Sequence, residues 1–181
     1  GVVGTLSMAD FAARWPSLTG SDRSIAQAGA AILGIAFLAK AGAWPLNFCL
    51  PGPYAAAGAP VAAVFSISTK VGVYAMLRLI SLLEDPSAPF GGMWLFGGAI
   101  ATFVFGIAGV LASRQLARVV AFTVVVSSGT LLAAIALPAP AMTAGALFYL
   151  LGSVLRRGAF FLFTRKTERI REDLGSAGEV I

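Results

Sequence analysis

The sequence predicts an all-α polytopic membrane protein with about five transmembrane helices, the first of them discontinuous. Of its 181 residues, 58% are apolar and only 12% are charged, whereas about a quarter of the residues are charged in a typical soluble domain. The mean hydropathy is +0.87. Apolar runs of about 20 residues, the length that an α-helix needs to cross a bilayer, recur along the chain. These observations exclude a soluble globular fold.

The ionic and metal-binding residues argue against several other functions. The net charge is +5, but the basic residues gather at the ends of the apolar runs and near the C-terminus. This pattern indicates membrane topology and no nucleic-acid partner. The single cysteine, Cys49, excludes an intrachain disulfide, and the absence of histidine removes the commonest metal ligand. We therefore expect no cofactor, no metal site and no redox centre.

The N-terminal part is expected to lead into the first span. Residues 1–23 are interpreted as the end of a preceding span and an external loop, because residues 8–23 are too polar for hydrocarbon. The first residues have no signal-peptide pattern, and we expect the chain to be a fragment of a longer protein. Residues 24–44 form the first predicted span, which is apolar except for Gln27 and Lys40.

Pro45 interrupts this span, and further prolines and glycines follow as far as Pro60. Because proline removes a backbone donor and clashes with the preceding turn, the helix is expected to break or bend near Pro45. Residues 46–50 would then form a short half-helix or re-entrant piece. Broken helices at membrane depth usually line a polar site. The alternative is a helix that ends at the interface with Trp44 as its anchor, and both interpretations stay open at this point.

Four further spans are predicted at residues 61–83, 94–113, 119–137 and 141–163. Residues 84–89 form a short exposed connection between the second and the third. Gly106 and Gly109 lie three residues apart in the third span and are expected to allow close helix packing. Residues 24–164 therefore form a transmembrane bundle, and residues 165–181, which alternate in charge, form a cytoplasmic charged tail.

The distribution of lysine and arginine predicts the orientation of the bundle. One side of the membrane receives Arg114, Arg118, Arg165, Lys166, Arg169 and Arg171, and the other receives Arg14, Arg23 and Arg78. The more basic side is expected to be cytoplasmic. The proline-rich connection after Lys40 then faces the cytoplasm, and the N-terminal loop faces the outside.

Two lysines lie deep inside the predicted spans. Lys40 is about sixteen residues into the first span and Lys70 about ten residues after Pro60, which at ~1.5 Å per residue places both well below the nearer interface. A cation there costs about 3 kcal/mol and persists when it has a task or a partner. Burial disfavours the charged form of lysine, so such a group can bind and release a proton as its surroundings change. We therefore predict that Lys40 and Lys70 relay protons.

Hydroxyl groups near the lysines can hold water and complete part of a proton wire. The candidates are Ser68, Thr69, Tyr74, Ser127, Ser128 and Thr130. The alternative is that each lysine is a structural charge that pairs with a carboxylate and fixes helix packing. No Asp or Glu occurs inside a predicted span. The counter-ions are therefore expected to come from lipid, water or residues outside this chain.

Four motifs carry a resemblance to a known family. They are LAKAGAWPL at residues 38–46, LPGPY at 50–54, APVAAVF at 59–65 and TKVGVYA at 69–75. Together they resemble the central motifs of the proton-translocating antiporter family. This family comprises the large subunits of Mrp-type cation/proton antiporters and the antiporter-like subunits of respiratory complex I. The resemblance is strongest to the D subunits of the Mrp type.

The resemblance implies a fold and a set of roles. The chain would be about the seventh to eleventh helices of a roughly fourteen-helix protein, with Lys40 on a discontinuous helix. In the family this lysine pairs with a glutamate on an earlier helix, which is absent here, and passes protons toward the lysine that corresponds to Lys70. Ser127 and Ser128 match a hydroxyl-bearing stretch.

The fifth span departs from the family pattern. Where the family often has a histidine followed by a lysine five residues later, this sequence has Gly152 and Arg157, with Arg156 beside it. Arginine stays charged and cannot shuttle protons. The wire would then bypass this point, or Arg157 would only set the local electric field, or this copy would be impaired.

Three functions follow as hypotheses. The first is a proton-translocating subunit of a monovalent cation/proton antiporter complex, with sodium as the expected cation. It would be a secondary transporter and not an enzyme, and it would lie in the inner cell membrane. Its partners would be the other subunits of the complex, the lipid bilayer, protons and the cation. The second is a proton-pumping membrane subunit of an NADH-quinone oxidoreductase. The third is an inactive or structural membrane fragment.

Overall fold

The computed structural model describes residue 4 and residues 7–83, 92–137 and 139–178, without the side chains of 59, 164, 168 and 171–178. The predicted connection at 84–89 and the side chains at the end of the tail lie outside the described residues. Every regular element described is helical. The α-helices are α1 (Met8–Arg14), α2 (Gly20–Ala41), α3 (Pro51–Ala56), α4 (Ala59–Leu83), α5 (Gly92–Ala112), α6 (Leu116–Ile135) and α7 (Pro140–Gly178), and 3₁₀ turns cover Trp15–Ser17 and Leu46–Cys49.

Five helical segments are long and apolar enough to cross a membrane, judged by length and composition. They are Gly20–Cys49, Pro60–Leu83, Gly92–Ala112, Leu116–Ile135 and Pro140–Thr167. This confirms the all-α, multi-pass fold and the number of spans. The last of these segments belongs to α7, which continues without interruption to Gly178. The fifth span and the charged segment after it are therefore one helix.

Helix α6 is the centre of the bundle, and half of its residues are buried. It packs against α5, α7, α3 and α4. Glycines allow its backbone to contact that of α5: a Cβ on Gly129 would lie 2.7 Å from the nitrogen of Phe103, and one on Gly106 would lie 2.8 Å from the nitrogen of Val126. The position of Gly109 against the ring of Phe122 follows the same pattern. The predicted packing role of Gly106 and Gly109 is thus confirmed.

Helix α2 packs against α4, and small residues set the distance between them. A Cβ on Gly72 would lie 2.7 Å from the nitrogen of Ala41 and 3.1 Å from Cβ of Lys40, while one on Gly34 would lie 3.5 Å from Cδ2 of Leu79. The two helices therefore run antiparallel, because the later contact on α2, at Ala41, meets the earlier one on α4, at Gly72. This contact fixes the height of Lys40 relative to α4.

The predicted discontinuity is present, but it begins earlier than predicted. Helix α2 ends at Ala41, and Gly42 adopts a left-handed conformation with φ of 71°. The nitrogen of Ala43 donates to the carbonyl oxygen of Leu38 at 2.9 Å, which closes the helix end in the manner of a Schellman motif. Gly42 therefore ends the helix, three residues before Pro45, and the break near Pro45 that the sequence predicted is present. Pro45 lies in the turn that follows, before the 3₁₀ turn and α3.

Candidate functional site

The two lysines occupy contrasting environments. Lys70 on α4 is only 2% exposed, and its Nζ donates a hydrogen bond to Oγ of Ser128 on α6 at 3.2 Å. Lys40 lies in the last turn of α2 and is exposed on the surface of the described bundle. The backbone of Lys40 contacts α4 at Gly72, two residues beyond Lys70. The structure thus brings the two chain segments together but turns the lysine side chains in different directions.

Three of the predicted hydroxyl residues are buried in the interior, as Lys70 is. Thr69 is buried, and its hydroxyl donates to the carbonyl oxygen of Ser66 at 2.8 Å. Ser127 and Ser128 are fully buried, and Oγ of Ser127 has no hydrogen-bond partner in the described part of the chain. Lys70, Thr69, Ser127 and Ser128 are therefore all interior groups.

The other predicted residues lie farther out. Ser68 is half-buried, and the hydroxyl of Thr130 is bonded to the carbonyl oxygen of Val126 in its own helix. Tyr74 is 47% exposed, and Pro45 is exposed within the break after α2. The structure therefore does not bring Tyr74 and Pro45 into the interior beside Lys70.

The paired arginines of α7 have different surroundings. Arg157 is 7% exposed, and its Nη1 atom is buried without a hydrogen-bond partner among the described residues. It lies close enough to Lys70 for the two positive charges to interact. Arg156 is exposed, and its guanidinium lies 5.9 Å from the ring centroid of Tyr149. Arg157 is thus an interior charge and Arg156 is not.

Sequence reasoning missed three residues that shape this region. The hydroxyl of Thr102 on α5 accepts a hydrogen bond from the nitrogen of Trp44 at 2.7 Å and donates to the carbonyl oxygen of Gly98 at 2.6 Å. Asn47 is fully buried in the 3₁₀ turn. The buried Tyr54 on α3 donates its hydroxyl to a backbone carbonyl of α4 at 2.7 Å. Their signal was slight, since each is a single polar residue among apolar neighbours.

Comparison with known proteins identifies the family. Residues 3–176 match the model of the family described as NADH:quinone oxidoreductase/Mrp antiporter, TM. The chain belongs to this family. The match covers nearly the whole sequence, and the resemblance inferred from the motifs is thereby confirmed.

Two individual relatives that the chain resembles in sequence are D subunits of antiporters. The chain is 50% identical over 176 residues to the D subunit of a probable K⁺/H⁺ antiporter of Rhizobium meliloti, covering 95% of this chain and 33% of that protein. It is 35% identical over 162 residues to the D subunit of the Na⁺/H⁺ antiporter of Bacillus subtilis, covering 89% and 32% respectively. The chain therefore spans about a third of the length of the curated relatives it matches.

A solved structure supports the same fold. The Mrp complex from Dietzia sp. DQ12-45-1b contains a chain that superposes with a TM-score of 0.74 at 26% sequence identity. The superposition covers 90% of this chain and 29% of the other. The family's helical membrane fold is thus present here in part, as the motifs implied.

Proposed function

We propose that this chain is the central part of a proton-translocating subunit in a hetero-oligomeric monovalent cation/proton antiporter complex, and that Lys70 carries protons within it. One observation supports this role most directly: Lys70 is enclosed in the bundle with a hydroxyl, not a carboxylate, as its hydrogen-bond partner. A structural lysine in hydrocarbon would be expected to have an acidic partner. Among the described residues of the five spans the only acidic one is Asp22, in the first turn of α2, and it forms no ion pair with Lys70.

The contact between Lys70 and Ser128 suits proton transfer. As an ammonium, Lys70 donates to the oxygen of Ser128, which is the bond present here. As a neutral amine, it can accept a proton from a hydroxyl or a water molecule. The hydroxyl of Ser128 both accepts and donates, so it can pass hydrogen bonds in either direction. Ser127, whose hydroxyl is buried and unpaired among the described residues, offers the next such group.

We propose that Lys40 exchanges protons with Lys70 from the surface of this part of the protein. Lys40 lies in the last turn of α2, where the partial negative charge of the helix end favours a cation. Its side chain faces away from the bundle, toward whatever covers this surface in the complete protein. A glutamate there, as the family resemblance implies, would complete the pair. Because Gly72 fixes the end of α2 against α4, the two lysines keep a constant separation of their backbones.

Arg157 is proposed to act as a fixed positive charge. Its guanidinium cannot release a proton under ordinary conditions, so it cannot be a carrier. Its interaction with Lys70 is repulsive and disfavours the simultaneous presence of two interior charges. Thr69 and Ser68 would support the site from α4, whereas Tyr74 and Pro45 would act at its edges.

We propose that the basic end of the bundle faces the cytoplasm. The turn between α5 and α6 and the charged end of α7 lie at one end of the bundle, since Val120 packs in a cluster with Phe161. This supports the assignment of that end to the cytoplasm, with the bundle in the inner cell membrane, and the charged tail after residue 164 on the same side.

Sodium was expected from the sequence, and one relative is named for sodium while the more similar one is named for potassium. Transport should therefore be measured with both.

The relatives named as antiporter subunits favour the antiporter over the NADH-quinone oxidoreductase hypothesis.

The proposal is tested with the full-length protein in its complex, reconstituted into vesicles. Lys70→Arg keeps the positive charge but removes the ability to deprotonate, so cation-driven proton movement is expected to be lost. Lys166→Arg, an exposed change near the end of the fifth span, is the matched control and should leave transport unchanged. Full transport by Lys70→Arg would show that Lys70 is a structural charge.

A further inference from the structure

We propose that the amide of Asn47 binds an internal water molecule beneath the break between α2 and α3. This site goes beyond the lysines and hydroxyls used above. Asn47 is 0% exposed, and neither Oδ1 nor Nδ2 has a hydrogen-bond partner in the described part of the protein. A buried polar group without a partner costs about 1–3 kcal/mol. Nearly all such groups in proteins are therefore bonded to protein or to ordered water.

The segment around Asn47 is fastened on both sides, so that its burial is a property of the fold. On one side, the nitrogen of Trp44 donates to the hydroxyl of Thr102 on α5. On the other, the ring of Phe48 packs edge-on against that of Phe105, also on α5, with 4.8 Å between centroids. Asn47 lies between these two attachments, which hold the segment against α5.

The same contacts place Asn47 at the depth of the Lys70 site. Helices α5 and α6 meet where Gly129 contacts Phe103 and where Gly106 contacts Val126. The stretch of α5 that holds the segment, residues 102–105, is therefore level with residues 126–129 of α6. That stretch of α6 contains the unpaired hydroxyl of Ser127 and the partner of Lys70. Two buried groups that are unpaired among the described residues thus lie in one layer of the bundle.

The chemistry of the amide selects the ligand. A carboxamide presents an acceptor oxygen and a donor nitrogen, and both are unpaired within the described ranges. A cation would satisfy only the oxygen, and an anion only the nitrogen. A water molecule donates to the first and accepts from the second. Because this chain alone encloses Asn47 completely, the ligand must be small, which excludes a side chain brought from outside the chain.

Such a water would extend the hydrogen-bonding groups of the interior toward the break, and its use in proton transfer rests on the proposed function. A high-resolution structure of the full-length protein in its complex tests the site itself. We expect a density peak within hydrogen-bond distance of both amide atoms of Asn47. The peak should be absent in Asn47→Leu and present in Ser66→Ala, since the buried hydroxyl of Ser66 is bonded to its own helix at 2.7 Å. A dry cavity, or a protein atom in that place, in the unmodified protein would overturn the proposal without any variant.

Transport assays separate this inference from the function on which its use depends. If the water serves proton transfer, Asn47→Leu should slow proton movement at least about tenfold, equivalent to about 1.4 kcal/mol. Ser66→Ala should transport normally. A water present in the map together with normal transport by Asn47→Leu would refute its part in the proton path. Loss of transport in Lys70→Arg tests the carrier role independently of either result.

Discussion

Replacing Lys70 by methionine separates a proton carrier from a structural charge, because the two roles predict opposite effects on stability. Methionine has a similar length but no charge. The change removes the hydrogen bond from Nζ to Ser128, and leaving that buried hydroxyl without its donor costs about 1–3 kcal/mol. It also removes a cation from hydrocarbon, which recovers about 3 kcal/mol. The free energy of unfolding should therefore stay unchanged or rise by up to about 2 kcal/mol.

The assay combines two measurements on the purified full-length complex. Detergent-induced unfolding gives the stability of Lys70→Met, and proton uptake by vesicles gives its transport. We expect stability to be kept and transport to be lost, with Lys166→Met as the exposed control that changes neither. A fall in stability of more than about 3 kcal/mol, the size expected when a buried ion pair is broken, would refute the reasoning and identify Lys70 as part of a structural pair.

Two further predictions concern the end of α2. Lys40→Ala should abolish proton-coupled transport yet leave the amount of protein in the membrane fraction unchanged, because removing an intramembrane charge eases insertion; normal transport would exclude Lys40 as a carrier. Gly42→Ala should destabilise the break by about 1–2 kcal/mol, since its φ of 71° disfavours a side chain and a Cβ would lie 2.6 Å from Cδ2 of Leu50. Maleimide labelling of the exposed Cys49 should change in this variant but not in Gly52→Ala, where a Cβ has open space, and equal labelling of both would contradict this account of the break.

The sequence predicted the number of spans well because span length is set by bilayer thickness and can be counted. It predicted less well which face of each helix is buried. In a helix that is apolar on all sides, the periodicity that separates core from solvent in soluble proteins is weak. The sequence could therefore not distinguish the buried Lys70 from the exposed Lys40, because both lie deep in apolar runs.

The break after α2 shows a second limit. Pro45 drew attention because proline is incompatible with a helix interior, but Gly42, three residues earlier, already ends the helix with a left-handed conformation. A glycine among alanines gives little warning of that role. Asn47 and Thr102 were missed for a related reason. Their importance comes from contacts between α5 and the broken segment, and such contacts depend on tertiary packing.

The close contacts at Gly72, Gly106 and Gly129 have an evolutionary consequence. At these positions a Cβ would fall within 3 Å of a neighbouring backbone, so almost any substitution would force two helices apart. At Gly97, Gly145 and Gly152, by contrast, a side chain would meet open space within this part of the protein. We expect related sequences to hold the first three glycines fixed although they carry no chemistry. Invariance in these spans would then record how tightly helices touch, and the residues that handle protons would have to be recognised by their polarity and enclosure instead.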